Sequence, residues 1–135
     1  MVTVRRSVQD EVFQRLLAER PLEACGLLGG TDGLVTKAYP APNYADSAVR
    51  YEIDPKELLR IDREMDSDEL DLIGIYHSHV HSEAYPSAAD IRLAFYPNHF
   101  YFIVSLVDPH DPVMRAFRIR DGSVEEDPVE VISDM

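Results

Sequence analysis

Residues 72–90 read LIGIYHSHVHSEAYPSAAD, and this stretch sets the expectations for the rest of the chain. It opens with a short apolar run, LIGIY, which is typical of a buried strand. His77 and His79 follow at i and i+2, and on an extended segment side chains two residues apart lie on the same side. Ser87 and Asp90 are three residues apart, so they share a face if a helix begins there.

Two imidazoles and one carboxylate are the donor types of a metal site. Three protein ligands are the usual number for a catalytic zinc ion, which keeps its fourth position open. Each half of the pattern is weak alone, because alternating histidines also occur on wet strand faces and Ser87-x-x-Asp90 is a capping-box pattern. The two interpretations are compatible, since a helix start also favours negative charge.

The reaction that such a site would perform needs two further groups. A zinc ion lowers the pKa of a bound water to about 7 and polarises a carbonyl oxygen. Peptide hydrolysis still requires a base for the proton and a donor for the developing oxyanion. Ser87 is a candidate for that donor. The base must be a carboxylate that does not bind the metal, and spacing alone does not identify it among 25 acidic residues.

Length and charge narrow the classes of protein. With 135 residues the chain is predicted to be one domain, 1–135. The excess of 25 acidic over 13 basic residues gives a net charge of −12 and argues against binding nucleic acid. We interpret this acidity as favouring solubility rather than as a docking face for a basic partner. The absence of long apolar runs and of a signal peptide, with a single cysteine, predicts a cytoplasmic protein that does not bind membranes.

Three helices are predicted from capping residues and apolar spacing. The first covers 7–19, with Ser7 as N-cap and Asp10 as its capping-box partner. The second begins at Asp54. The third begins at Ser87 and turns apolar side chains inward as far as Phe95.

Strands are predicted at 23–30, 34–39, 48–53, 72–76, 100–107 and 113–119, with one further edge strand in the acidic tail. Asp-Gly pairs at 32–33 and 121–122 favour tight turns between neighbouring strands. The alternation of helices and strands predicts an α/β domain with a central mixed β-sheet flanked by helices.

Together, Glu23, His77-Ser78-His79, Ser87 and Asp90 resemble the JAMM (MPN+) zinc metalloproteases. Their pattern is a distant glutamate, then HxH, seven residues, serine, two residues and aspartate. The E-x-C-G at 23–26 and the N…Y-x-x-D-P at 43–55 are similar to small prokaryotic members. The resemblance implies a JAMM/MPN domain of cytidine-deaminase-like fold. It also implies that His77, His79 and Asp90 bind Zn2+, that Glu23 is the general base and that Ser87 stabilises the oxyanion.

Three longer segments resemble an actinobacterial branch of this family, which removes cysteine from a small ubiquitin-like sulfur carrier protein. They are YHSHVHSEAYPSAADIRLA at 76–94, VSLVDPH at 104–110 and RIRDGSVEEDPVEV at 118–131. The resemblance implies cleavage after the C-terminal Gly-Gly of the carrier, with release of cysteine or a short extension. A short chain suits a small carrier, and a homodimer is one assembly that the sequence allows.

The sequence also bears on three other functions. An isopeptidase that releases ubiquitin-like modifiers from protein lysines stays open, because it shares the same reaction. A non-catalytic MPN scaffold is disfavoured, because all the metal-binding residue types are present. A zinc nucleobase deaminase is excluded, since it needs H-x-E and P-C-x-x-C and the chain has one cysteine.

Residues near the motif carry weaker expectations. Many family members have proline after HxH, whereas this chain has Val80 and His81. We interpret His81 as lining the cleft or facing solvent, because Asp90 already completes the ligand set. Cys25 is interpreted as a buried small apolar residue rather than a nucleophile.

The tyrosines and the loop at Asn43 leave alternatives open. Tyr76 and Tyr85 either line a channel for an extended Gly-Gly tail or serve in packing. Asn43 and Tyr44 either belong to a substrate-facing loop or have no direct role. His99 and His110 are assigned none.

Overall fold

The computed structural model describes residues 1–45, 47–48 and 50–134. The protein contains one curved β-sheet with helices on both of its faces. The strands are β1 Val2–Arg5, β2 Cys25–Thr31, β3 Leu34–Ala41, β4 Asp71–His79, β5 Phe100–Ser105, β6 Val113–Arg120, β7 Ser123–Asp127 and β8 Val129–Ile132. The helices are α1 Arg6–Ala18, α2 Pro55–Ser67 and α3 Ala88–Arg92. The predicted α/β class with a central mixed sheet is confirmed.

The strand order is β7-β6-β5-β4-β2-β3-β1-β8, with β4 near the middle. β4 pairs antiparallel with β2 on one side and parallel with β5 on the other. β7 and β8 are consecutive in sequence, separated by Pro128, yet lie at opposite edges. The sheet therefore curls until its two edges approach each other, and the Val2 amide donates to the Pro128 carbonyl there.

Two apolar clusters cover the two faces of the sheet. One contains α1 with even-numbered side chains of the central strands, among them Tyr76, Phe102 and Val104. The other contains α2 with odd-numbered ones, among them Ile75 and Ile103. This alternation follows from the two-residue period of a strand, and it places His77 and His79 on the α2 side.

Turn and cap predictions are confirmed at three places. The Asp32-Gly33 and Asp121-Gly122 pairs have positive φ at both residues, as a two-residue hairpin turn requires. Asp54 caps α2, and its Oδ1 accepts a hydrogen bond from the Lys56 amide at 2.9 Å.

The Ser7 prediction was wrong, because α1 already begins at Arg6 and its N-cap is Arg5, without a side-chain cap. Ser7 instead donates from its amide to Asp134 Oδ1 at 3.0 Å. β1, which precedes the helix and was not predicted, moves the helix start earlier. This short strand, VTVR, is rich in β-branched residues and pairs between β3 and β8.

Two predictions on either side of β4 were also wrong. The described residues of 48–53 form no strand, and Val49 lies outside the described residues. α3 ends at Arg92, and Phe95 is 72% exposed rather than turned inward. The acidic tail provides two strands instead of one.

Among the described residues, no helix combines the length and the apolar character needed to cross a membrane.

Candidate active site

The two histidines occupy the end of β4. His77 and His79 are the last alternating residues of this strand, on the same face as Ile75. Both side chains are buried, with relative exposures of 1% for His77 and 4% for His79. The neighbouring strands hold the backbone, since His77 pairs with Cys25 of β2 and with Ile103 of β5. Two imidazoles therefore start from a rigid central position.

Asp90 approaches from the first turn of α3. Ser87 is the N-cap, and the predicted capping box is present: the Ser87 hydroxyl accepts from the Asp90 amide at 3.1 Å, and the Asp90 carboxylate accepts from the Ser87 amide at 2.9 Å. Reciprocal caps fix both side chains. The same Asp90 Oδ2 also contacts both histidines, so the cap aims the carboxylate at the end of β4.

The three side chains converge on one point. Nε2 of His77 lies 3.1 Å from Nε2 of His79, and Oδ2 of Asp90 lies 3.2 Å from the first and 2.9 Å from the second. Tetrahedral zinc with ligand bonds of about 2.0–2.2 Å needs donor atoms about 3.3–3.6 Å apart. The observed triangle needs to widen by only a few tenths of an ångström, so these residues fit a divalent metal.

The second nitrogen of each imidazole has a different environment. Nδ1 of His79 lies 2.9 Å from the Glu83 carbonyl oxygen, a bond in which the nitrogen donates, so Nε2, which faces Asp90, is the ring nitrogen that can bind a metal. Nδ1 of His77 is buried and makes no hydrogen bond within the described part of the chain. The ring of Tyr51 stacks on His77 instead, with centroids 4.2 Å apart and an interplanar angle of 23°.

Glu23 lies beside this cluster without joining it. Its amide donates to the Ser47 carbonyl at 2.8 Å, just before β2, and continuing the β2–β4 register places Glu23 opposite His79. Glu23 is 5% exposed, and its Oε1 is buried with no hydrogen-bond partner among the described residues. Desolvation raises the pKa of Glu23 to about 7, with His79 lowering it and Asp90 raising it to lesser extents. A carboxyl group with this pKa accepts and releases protons near neutrality.

Burial and hydrogen bonds within the cluster shift the pKa of all three side chains. Burial alone would raise the pKa of Asp90, but hydrogen bonds from the two histidines hold it well below its usual range. Burial lowers the pKa of His77 in spite of Asp90. Burial opposes protonation of His79 as well, yet bonds to Asp90 and to the Glu83 carbonyl raise the pKa of His79. An ionised Asp90 and a neutral His77 are the forms that bind metals.

A cleft of about 590 Å³ opens next to Glu23. Its other walls include Pro42, Asn43 and the two arginines Arg15 and Arg60. The histidines and Asp90 are not among its lining residues, so Glu23 lies between the cleft and the cluster. The cleft gives a ligand a route to the carboxylate.

Two residues near the motif, His81 and Cys25, differ in their exposure to solvent. His81 is exposed and follows the end of β4, in agreement with the interpretation that it lines the cleft or faces solvent. Cys25 is fully buried, and desolvation raises the pKa of its thiol to about 12, which confirms a structural role.

The structure decides between the alternatives for Tyr76 and shows the surroundings of Tyr85. Tyr76 is fully buried on the α1 face, where Arg15 Nη1 donates to its hydroxyl at 2.9 Å, so it packs and does not line the site. Tyr85 is 45% exposed and meets Phe117 edge to face.

Two contributors were missed by sequence reasoning. The Glu83 carbonyl has no sequence signal, because any residue supplies the same backbone oxygen. Tyr51 was noted only as part of the Y-x-x-D-P segment, and no role followed from it. An aromatic residue in an otherwise irregular segment is a weak signal, since its contact with His77 spans 26 residues of chain.

Comparison with known proteins identifies a consistent set of relatives. The family model described as prokaryotic homologs of the JAB domain matches residues 5–120. A CysO-cysteine peptidase of Mycobacterium tuberculosis is 38% identical over 135 residues, 98% of this chain and 92% of that protein. A desampylase of Haloferax volcanii is 36% identical over 104 residues, 75% of each chain. A solution structure of a Desulfitobacterium hafniense protein superposes with a TM-score of 0.93 at 35% identity, covering 100% of this chain and 95% of that one.

Proposed function

We propose that this chain, which belongs to the prokaryotic JAB family of JAMM domains, is a zinc-dependent peptidase. Its substrate is a small ubiquitin-like sulfur carrier protein, cleaved after the C-terminal Gly-Gly to release cysteine or a short extension. The observation that carries the proposal is the convergence of His77, His79 and Asp90 on one point beside Glu23, whose buried Oε1 bonds to none of the described residues. Residues 1–135 form the single catalytic domain.

His77, His79 and Asp90 hold the metal in this proposal, through two Nε2 atoms and Oδ2. Zinc suits this mixture of nitrogen and oxygen donors in a near-tetrahedral arrangement. When bound, zinc supplies Lewis-acid chemistry, since it polarises a carbonyl oxygen and makes water more acidic. The carbonyl of Glu83 fixes His79 in the tautomer whose Nε2 can bind a metal.

Glu23 is the general base. Its buried carboxyl group, whose pKa desolvation raises in the metal-free protein, takes a proton from the attacking water and delivers it to the leaving amine. The Oε1 atom supports this role, because it is buried and makes no hydrogen bond to a described residue that would hold it away from a water molecule. Raising the pKa by burial improves the match between the proton affinity of the base and neutral pH.

Ser87 donates to the oxyanion of the tetrahedral intermediate. Its hydroxyl oxygen already accepts from the Asp90 amide, which leaves the hydroxyl proton available for a donor role. Both partners of the capping box then contribute to catalysis, one as metal ligand and one as hydrogen-bond donor. A donor at this position typically accelerates the reaction by about 10²–10³.

The substrate class follows from the relatives. The mycobacterial protein that matches 98% of this chain is named for a CysO-cysteine substrate. A Thermus thermophilus relative, 37% identical over 92 residues, is named a probable TtuB-protein conjugate cleaving protease. Glycines suit a narrow groove because they let the backbone approach the site closely. A cytoplasmic location accords with such a substrate and stays a prediction.

A second candidate is an isopeptidase that removes ubiquitin-like modifiers from protein lysines. The observation that favours it is the 36% identity to the Haloferax volcanii desampylase over 75% of the chain. The peptide reaction ranks first because the mycobacterial peptidase matches a larger share of the chain at 38% identity.

The test has two steps. Metal content is measured first, and one zinc per chain is expected. The zinc-loaded protein is then incubated with a carrier that ends in Gly-Gly-Cys and, separately, with the same carrier linked to a lysine side chain. Mass spectrometry reports which bond breaks. Cleavage of the lysine adduct alone would favour the isopeptidase, and cleavage of neither by a zinc-loaded protein would refute both.

A further inference from the structure

His77 lacks the support that a metal-binding imidazole ordinarily has. Such a histidine usually donates its second ring nitrogen to a carboxylate, a carbonyl or water, and this bond fixes the ring. His79 follows the rule through the Glu83 carbonyl, whereas Nδ1 of His77 is buried and makes no hydrogen bond to any described residue. Another contact must fix the plane of the His77 ring.

Tyr51 provides that contact. Its ring lies nearly parallel to the imidazole, with centroids 4.2 Å apart and an interplanar angle of 23°. The tyrosine packs against the cluster that contains Ile75 and Ile103, so its own position is defined by the core on the α2 side. A stacked neighbour opposes rotation of the imidazole about its Cβ–Cγ bond, because rotation would drive ring atoms into the phenol.

Asn43 holds Tyr51 in place, although Tyr51 lies outside helix and strand. The Asn43 side chain bonds the residues on both sides of Tyr51: its Nδ2 donates to the Arg50 carbonyl at 3.1 Å, and its Oδ1 accepts from the Glu52 amide at 3.0 Å. Nδ2 also donates to the Glu23 carbonyl at 2.9 Å. One amide group thus joins the Tyr51 segment to the backbone of Glu23.

We propose that Tyr51, held by Asn43, is the positioning residue for His77 and fixes the plane of an imidazole whose Nδ1 bonds to none of the described residues. The inference rests on the proposed function, since it assigns Tyr51 to the metal site of that function. The aromatic ring restricts rotation of the imidazole, and the phenolic hydroxyl is not required for this role. Asn43 lines the cleft beside Glu23, and its side chain also fixes the backbone on both sides of Tyr51.

The test compares Tyr51→Phe with Tyr51→Leu. Zinc dissociation constants are measured by competition with a chromophoric chelator. Tyr51→Phe keeps the stacked ring and should bind zinc within about twofold of wild type. Tyr51→Leu should bind about 10-fold or more weakly, as expected for loss of a group that orients a metal ligand. Asn43→Ala should weaken zinc binding in the same direction.

Cobalt(II) provides a readout that general destabilisation does not move. The visible absorption of bound cobalt reports the geometry of its ligands, so the spectrum of Tyr51→Leu should change while that of Tyr51→Phe matches wild type. Circular dichroism of the metal-free proteins checks that each variant is folded. Tyr51→Met, with a side chain closer in volume, replaces Tyr51→Leu if the latter does not fold.

The outcomes separate the two proposals. A wild-type protein that binds no zinc would refute the proposed function itself. If wild type binds zinc and the folded leucine or methionine variant binds it equally well with an unchanged cobalt spectrum, the role of Tyr51 is refuted and the proposed function stands. Loss of zinc affinity in Tyr51→Phe would also overturn the inference, because it would assign the effect to the hydroxyl.

Discussion

Replacing Glu23 by glutamine is expected to stabilise the metal-free protein at alkaline pH and to abolish its activity. Glu23 is 5% exposed, its Oε1 has no hydrogen-bond partner in the part of the chain that the structure describes, and desolvation raises its pKa to about 7 from 4.5. Between these two values the folded state binds more protons than the unfolded state. The free energy of unfolding therefore falls as pH rises through this window and levels off above pH 7.

The magnitude follows from the shift. A difference of about 2.5 pKa units corresponds to about 3.4 kcal/mol at pH values well above 7. Between pH 5 and pH 8 the linkage relation gives a loss of about 2.5 kcal/mol for wild type. Glu23→Gln has the same shape without the charge, so it should escape this loss. Its stability relative to wild type should increase by about 2.5 kcal/mol over the same interval.

The assay is urea denaturation of chelator-treated protein at pH 5 and pH 8, so that no cation offsets the cost of the buried carboxylate. With m about 1–3 kcal/mol/M, the advantage of the variant at pH 8 corresponds to a rise of about 1 M or more in the urea midpoint. Turnover of the zinc-loaded variant should fall about 10²–10⁴-fold, because glutamine does not accept the proton.

Glu19→Gln is the matched control, because Glu19 lines the same cleft but is exposed. Its midpoint should differ from wild type by the same amount at both pH values. If Glu23→Gln gains nothing between pH 5 and pH 8, the carboxyl group is not desolvated as described. Retained turnover in that variant would remove Glu23 from the role of base.

The remaining predictions concern the ligands, the cap and the sheet. His77→Ala or Asp90→Ala should purify with almost no zinc by elemental analysis, and unchanged zinc in either would overturn the ligand set. Ser87→Ala should retain zinc, lose about 10²-fold in turnover and lose about 1 kcal/mol of unfolding free energy through the cap; wild-type turnover would exclude its oxyanion role. Gly26→Ala should lower the unfolding free energy by about 2 kcal/mol or more, because its Cβ would lie 2.5 Å from Cε1 of Tyr76, and an unchanged urea midpoint would contradict this packing.

Local patterns predicted the parts of the fold that depend on near neighbours. The Asp54 cap, the Asp-Gly turns at 32–33 and 121–122 and the apolar run before His77 all formed as expected. The capping box of Ser87 and Asp90 also formed, because its bonds span three residues. Pairing across the chain decided the elements that were missed or misplaced. β1 and β8 exist because each finds a partner far away in sequence, and a four-residue segment carries no sign of that.

By itself, the sequence determined the donor types of the site and their order. Alternation on β4 places the two imidazoles on one side, and the capping box with Ser87 fixes the Asp90 side chain on the first turn of α3. Only the tertiary structure decided what surrounds them: the β2–β4 register that brings Glu23 beside His79, the burial that raises the pKa of Glu23, and the stacking of Tyr51 on His77. These features depend on distances between segments that are remote in sequence, and the periodicity of one segment carries no information about the position of another.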